Sequence, residues 1–179
     1  MPCHAIPRHT SAFTLVELAA VLLALGVAAA VALPALGNLL AEAQLRQAAG
    51  TLLDDLDTAR RAAITRGGGV AICPSRDGHH CGPTARWHHG WIILHGTRVL
   101  SAHEALPRRL ASDSSMARRR IIFDEAGRAP GGNDTITLCV RKRPATARSV
   151  LISSVGRIHA EPPEPAKGKA CAASREDIR

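Results

Sequence analysis

The stretch AFTLVELAAVLLALGVAAAVALPAL, residues 12–36, decides the fold. Its apolar run from Phe13 to Leu33 matches the roughly 20 residues that a helix needs to cross a bilayer. One charge interrupts it, Glu17, close to its start. A carboxylate in hydrocarbon is strongly unfavourable unless it meets a partner. The leader ahead of the run, MPCHAIPRHTSA, holds one arginine, two histidines and no acid. The positive-inside rule therefore keeps the leader in the cytoplasm and sends the C-terminal bulk across. A secretory signal peptide would show a small-x-small cleavage site behind its apolar core. Here the run passes into Pro34 and a helical pattern, so it is expected to stay on the chain as an anchor.

A plain single-pass anchor gives Glu17 no reason to exist. If the chain is cut between Ala12 and Phe13, the new amino group lies one helical turn from Glu17, and the amine of a neighbouring copy can reach it too. Ion pairing then offsets the burial and sets an axial stagger between packed helices. The residues F-T-L-V-E-L resemble the class III signal of type IV prepilins, found in pilins and in the pseudopilins of type II secretion. The resemblance implies that prepilin peptidase cuts before Phe13, that the new terminus is N-methylated, and that Glu17 aids filament assembly. It also gives Pro34, the twenty-second residue of the cut chain, the place of a helix-kinking proline. Ala12 departs from the glycine usual before the cut.

Beyond Pro34, Leu45, Ala49, Leu52, Leu56, Ala59 and Ala63 recur every three or four residues and draw one apolar stripe, with Asp54, Asp55, Asp57, Arg60 and Arg61 largely off it. The stripe is expected to bury against a sheet, and Gly67-Gly68-Gly69 to end the helix. Short strand-like runs follow at 70–73, 91–95, 98–101, 120–123, 135–140 and 149–153, punctuated by Gly and Pro. WIILHGTRVLS reads as a hairpin with a His-Gly-Thr turn, and Asp124-Glu125 as the opening of a turn before Gly127. The fold class is α+β: a long N-terminal helix, transmembrane then amphipathic, on an antiparallel sheet. The divisions are a leader (1–12), an assembly helix (13–36), its amphipathic continuation (37–66), a β-rich domain (67–160) and a Pro/Lys-rich tail (161–179).

The runs LLDDLDTARRAAITRGGGVAICPSRDGHHC, WHHGWIIL, IIFDEAGRA, TITLCV and SVLISSVGRIH are similar to the GspH/FimT branch of pseudopilins and minor pilins. That branch typically carries an L-x-x-A-R-x-x-A-I helix, a C-P-S-x-D-G-x-x-C loop, a G-W strand and a late G-R. The resemblance covers Phe13 to about His159. It implies a pilin-like subunit of a filament, with other pseudopilins or minor pilins, prepilin peptidase and the inner membrane as partners and the C-terminal domain in the periplasm.

Cys3 lies in the leader, which leaves Cys73, Cys81, Cys139 and Cys171. An even number in a periplasmic domain points to disulfides, and four cysteines allow three pairings. The preferred one joins Cys73 to Cys81, stapling PSRDGHH, and Cys139 to Cys171, tying the tail to a strand. Zinc is the competing chemistry for Cys73, His79, His80, Cys81, His88 and His89, but their spacing fits no two-by-two ligand pattern, and no metal or cofactor is expected. The glycine run precedes its strand and lacks Lys-Ser/Thr, so it is no phosphate loop. No nucleophile–base or paired-carboxylate constellation appears, so neither an enzyme nor a small-molecule substrate is expected.

The net charge is +8, and the basic residues gather after Arg60. That balance suits an anionic partner, DNA among them, although an arginine-rich surface is equally expected as a solvated face. With no Tyr, two Phe and two Trp, stacking on nucleobases has almost no means. Phosphate contacts remain open to Arg141, Lys142, Arg143, Arg157, His159, Lys167 and Lys169, which are expected to converge if Cys171 pins the tail. Some DNA-binding FimT-like minor pilins carry a late G-R-x-R motif. Here it reads Gly156-Arg157-Ile158-His159, with His159 replacing the second arginine.

Overall fold

The computed structural model describes residues 14–174. The chain divides into two units, Met1–Leu39 and Leu40–Arg179. Helix α1 covers Leu15–Arg66. Its part in the first unit is apolar and exposed throughout 15–36, with Leu15, Leu23 and Val31 among the most exposed side chains. It is long and apolar enough to cross a membrane. Thr14 starts the helix, its Oγ1 accepting the Glu17 backbone N–H at 3.2 Å.

In the second unit α1 behaves as an amphipathic helix. Ala41, Leu45, Ala48, Ala49, Leu52, Leu56, Ala59 and Ala63 are its buried residues, and they include every member of the expected stripe. Gly67, Gly68 and Gly69, all at positive φ, end it as expected. Strands β1 (Val70–Pro74), β2 (Trp91–His95), β3 (Arg98–His103), β4 (Leu110–Ser114), β5 (Ile121–Phe123), β6 (Asp134–Val140), β7 (Arg143–Ile152) and β8 (Ile158–Glu161) follow. A 3-10 turn, Trp87–His89, precedes β2, and helix α2, Pro165–Ala173, comes after β8.

The strands form two antiparallel four-stranded sheets, ordered β3-β2-β1-β5 and β4-β6-β7-β8. Two sheets rather than one is the first difference from the sequence expectation. The β2–β3 hairpin is present, but His95 pairs with Arg98, so the turn is Gly96-Thr97 and His95 is a strand residue. The tail is the second difference. Much of 161–179 is helix α2, which packs on the second sheet through a cluster of small residues, Ala111, Cys139, Ala147 and Cys171. A Cβ on Gly168 would meet the Pro144 carbonyl oxygen at 2.6 Å, so only glycine lets the helix come this close.

The main core joins the α1 stripe to Val70, Ile72, Trp91, Ile93 and Phe123 of the first sheet and to Leu110, Ile136, Leu138 and Val150 of the second. Fully burying a leucine such as Leu52 or Leu56 contributes about 1.5–3 kcal/mol. Polar ties fix the helix in place: the Trp91 indole N–H donates to Asp55 at 2.8 Å, and Arg60 donates to the Gly127 carbonyl at 3.1 Å. A satellite core of Cys73, Ile92 and Leu94, backed by Cys81 and Val99, lies on the other face of β1 and β2. This explains why β1 is buried along its whole length.

Candidate functional site

Ala12 and Phe13, the expected cleavage pair, lie outside the described residues. Glu17 sits in the first turn of α1, three residues past the capping Thr14. An acid there is favoured by the helix dipole and by the capping-box spacing, T-x-x-E. Glu17 therefore helps to start the helix as well as being available to an amine. Pro34 lies inside α1, where its missing N–H leaves the Ala30 carbonyl without the helical donor.

Both expected disulfides are present, Cys73–Cys81 and Cys139–Cys171. The first staples the loop around Asp77, whose Oδ1 accepts the backbone N–H groups of His79 and His80 at 2.8 Å each, with the Ser75 hydroxyl at 3.1 Å. The backbone N–H of His80, then that of His79, hold the Asp77 carboxyl well below the usual carboxylate range. His80 also places its Nδ1 2.8 Å from Asp77. The loop is thus an Asx turn closed by a disulfide, and the sulfurs of Cys73 and Cys81 bond each other. Among the described residues no group of three or more His, Cys, Asp or Glu is placed to hold a metal ion.

His88 and His89 are adjacent in sequence but differ in role. His89 accepts a hydrogen bond from Arg76 at 3.0 Å near the surface. His88 is buried against β4, where its Nδ1 accepts the Ser112 backbone N–H at 3.1 Å and lies 2.9 Å from the Ser112 hydroxyl. The His88 backbone N–H returns a bond to that hydroxyl at 3.0 Å. Nδ1 must be unprotonated to accept, so the neutral ring carries its proton on Nε2. Burial first, and then the charges of His89, Arg141, Arg86 and Arg76, lower its pKa to about 4. Nothing in the sequence announced this pair, because its members lie 24 residues apart with no shared motif.

The two motif glycines have steric explanations. Gly90, before Trp91, has φ 97, and a Cβ there would meet the His103 carbonyl oxygen at 2.5 Å. Gly156, before Arg157, has φ 82, and a Cβ there would collide with the Gly127 carbonyl. Asp124 opens the expected turn before Gly127, accepting the backbone N–H of Arg128 at 2.8 Å and of Ala126 at 3.0 Å. The Arg128 backbone bond is the main reason its carboxyl sits below the ordinary range.

The expected convergence of basic residues splits into two groups. Arg141 and Lys142 form the β6–β7 turn, Arg143 opens β7, and the Lys142 backbone N–H donates to Ala172 at the end of α2, the helix of Lys167 and Lys169. Arg157 and His159 follow the far end of β7, nine residues and roughly 30 Å of extended strand from Arg143. Several of these side chains already have partners. Arg143 meets Glu42 at 3.2 Å, Lys167 meets Glu164 at 3.7 Å, and His159 lies 3.8 Å from Glu161. Arg141 donates to the carbonyls of Arg108 at 3.0 Å and Ser174 at 3.1 Å.

Comparison with known proteins agrees with this architecture. The family model described as "Type II transport protein GspH" matches residues 48–156, more than half of the chain. The type IV minor pilin FimU of Pseudomonas aeruginosa (strain PAO1) is similar at 25% identity and TM-score 0.55, over 66% of this chain and 88% of that one. The minor pseudopilin EpsH of the Vibrio cholerae type 2 secretion system shares the fold at 12% identity and TM-score 0.52, over 66% of this chain and 97% of that one. No curated protein sequence matches the chain. The helix-and-two-sheet architecture, the glycines that permit it and the match over residues 48–156 lead to one conclusion: the chain belongs to the GspH family, the minor pilins and pseudopilins.

Proposed function

We propose that the chain is a minor subunit of a periplasmic pilus-like filament, in type IV pilus or type II secretion machinery. Residues 13–36 hold it in the inner membrane, with the C-terminal domain in the periplasm, until assembly. Its role is structural rather than enzymatic. The observation that carries this reading is Glu17, an acid in the first turn of a helix whose residues 15–36 are otherwise uncharged and exposed. Such a surface needs neighbours, either lipid or other apolar helices, and a neighbouring subunit's N-terminal amine can meet the carboxylate at a fixed axial stagger. Prepilin peptidase cuts between Ala12 and Phe13 and the new Phe13 amine is methylated; mass spectrometry of the mature N-terminus reads both. Glu17→Ala and Glu17→Gln should leave cleavage largely intact and lower incorporation alongside partner subunits by about tenfold or more. Full incorporation of both variants sinks the ion-pair argument.

A second reading, a DNA-binding minor pilin acting in DNA uptake, draws on the group around the β6–β7 turn. There the exposed Lys142 abuts the end of α2, and the exposed Lys169 lies on that helix. Such cations grip phosphates without reading sequence.

A further inference from the structure

Glu42 and Arg46 are the first charges on α1 after Glu17. The exposed leucines of the helix run on through Leu36, Leu39 and Leu40 and stop there. Beside Glu42 and Arg46 opens a pocket of about 270 Å³, whose other wall is strand β7 with Arg143, Thr146 and Arg148. The strand is irregular at this place. Arg143 pairs with Val140 and Ala147 with Cys139, so residues 144–146 bulge out of the ladder. Past the bulge Arg148 pairs with Leu138. By alternation it lies on the face of the sheet that carries Val150 and Ile152 into the main core. That face is apolar at Val150 and Ile152 and turns cationic at Arg148, opposite the helix residues 42–46.

Three arginines thus share the pocket with one acid. Arg143 meets that acid, Glu42, at 3.2 Å. Arg46 and Arg148 have no acidic partner among the described residues, and Arg148 donates to the neighbouring Ala147 carbonyl at 3.1 Å. Both are exposed. Two guanidinium groups without a carboxylate, set in a concave site, suit a phosphate, which takes paired N–H donors. Their place in the chain says which phosphate. Arg46 is six residues past Leu40, and six residues reach at most about 20 Å. With the apolar run in a bilayer, the pocket is therefore tethered within reach of the headgroup layer.

We propose that this pocket binds the phosphate of an anionic phospholipid headgroup through Arg46 and Arg148, where α1 leaves the membrane. This rests on the reading of residues 13–36 as a span. The contact holds the subunit against the bilayer and has to break when the helix passes from lipid into a filament. DNA phosphates have the same chemistry, but the span keeps headgroups at high effective concentration beside the pocket and does nothing of the kind for DNA.

The test uses the full chain in dodecyl maltoside micelles, with phosphatidylglycerol titrated in and lipid adducts followed by native mass spectrometry. Phosphatidylglycerol should bind in preference to phosphatidylcholine. Its affinity should fall about threefold or more in Arg46→Glu and about tenfold or more in Arg46→Glu/Arg148→Glu. Arg66→Glu makes the same charge change at the exposed far end of α1 and should leave the affinity unchanged, which separates the pocket from the net charge of the chain. Inorganic phosphate in large excess should not strip the adducts. Equal affinity for the two lipids, undiminished phosphatidylglycerol affinity in Arg46→Glu, or an equal loss in Arg66→Glu overturns the proposal. Stripping by inorganic phosphate overturns it too and makes this a free-phosphate site. So does duplex DNA binding that falls in the double variant while lipid binding stays intact. Alkaline carbonate extraction of membranes reads the span separately. A chain released by carbonate sinks the span reading, whereas a retained chain without lipid preference sinks the pocket alone.

Discussion

His88 shows how much one side chain can decide without being visible in a motif. Its Nδ1 takes the outward N–H of Ser112, so a side chain does for the edge of β4 what a neighbouring strand would do. Only the neutral ring can accept that bond. Its folded pKa of about 4 lies below the ordinary 6.5, so the native state binds fewer protons than the unfolded chain between those values. The stabilisation is therefore complete above about pH 6.5 and is lost as pH falls towards 4, by at most about 3 kcal/mol. The groups facing His88 are His89, Arg76, Arg86 and Arg141. Asp77 and Asp124 have depressed pKa values and lose their contribution at lower pH. Denaturant unfolding of the wild type should therefore weaken between pH 6.5 and 4, and His88→Gln should flatten that slope. An unchanged slope in the variant would remove His88 from the explanation.

Among the elements, α2 depends most on a covalent tie. It is nine residues long, buries only Gly168 and Cys171, and an isolated helix of that length is marginal in water. The Cys139–Cys171 bond spans 32 residues, whereas Cys73–Cys81 spans 8. Loop-closure entropy makes these worth about 3.7 and about 2.5 kcal/mol respectively. Cys139→Ser/Cys171→Ser should therefore destabilise the domain by about 1 kcal/mol more than Cys73→Ser/Cys81→Ser in urea unfolding. It should also expose the amides of α2 to fast exchange. The opposite order would mean that α2 holds its place through the Ala111, Ala147 and Gly168 contacts alone. The sequence supported the pairing but not the helix, because EPPEPAKGKACAA offers no apolar period and carries prolines and a glycine.

For the whole molecule, net charge and charge placement make different claims. The value of +8 belongs to the composition, but only the fold shows that Arg157 and Lys142 sit at opposite ends of β7. If the full chain binds duplex DNA through the β6–β7 turn and α2, log affinity should fall with log salt at a slope of about −0.9 per phosphate contacted. Lys142→Ala/Lys169→Ala should then flatten that slope by about 2, while Arg157→Ala leaves it nearly unchanged. A flat salt response, or a dominant effect of Arg157, would reject that placement. The two edges of the second sheet are similarly unlike. β8 ends at Glu161 beside the proline-rich connection, whereas β4 bonds to His88.

The sequence by itself determined the elements whose cause is local. An apolar run of this length makes a helix long and apolar enough to cross a membrane whatever follows it. The period of the leucines and alanines from Leu45 to Ala63 makes an amphipathic helix, and alternation with Gly and Pro punctuation makes most of the strands. The cysteine pairing was also within reach, because one arrangement closed a short loop and tied down a tail. Tertiary structure alone decided what depends on residues distant in the chain. It split the strands into two sheets and recruited β4 and β8, whose residues show little alternation. It turned the tail into a helix and sent Arg157 away from the other cations. It set His88 on Ser112 and brought Arg46 and Arg148 to one pocket. Those outcomes rest on packing and hydrogen bonds between segments that are not neighbours in the pattern, such as His88 with Ser112, 24 residues apart, and Cys171 with Ala111, 60 apart, and a local pattern carries no record of them.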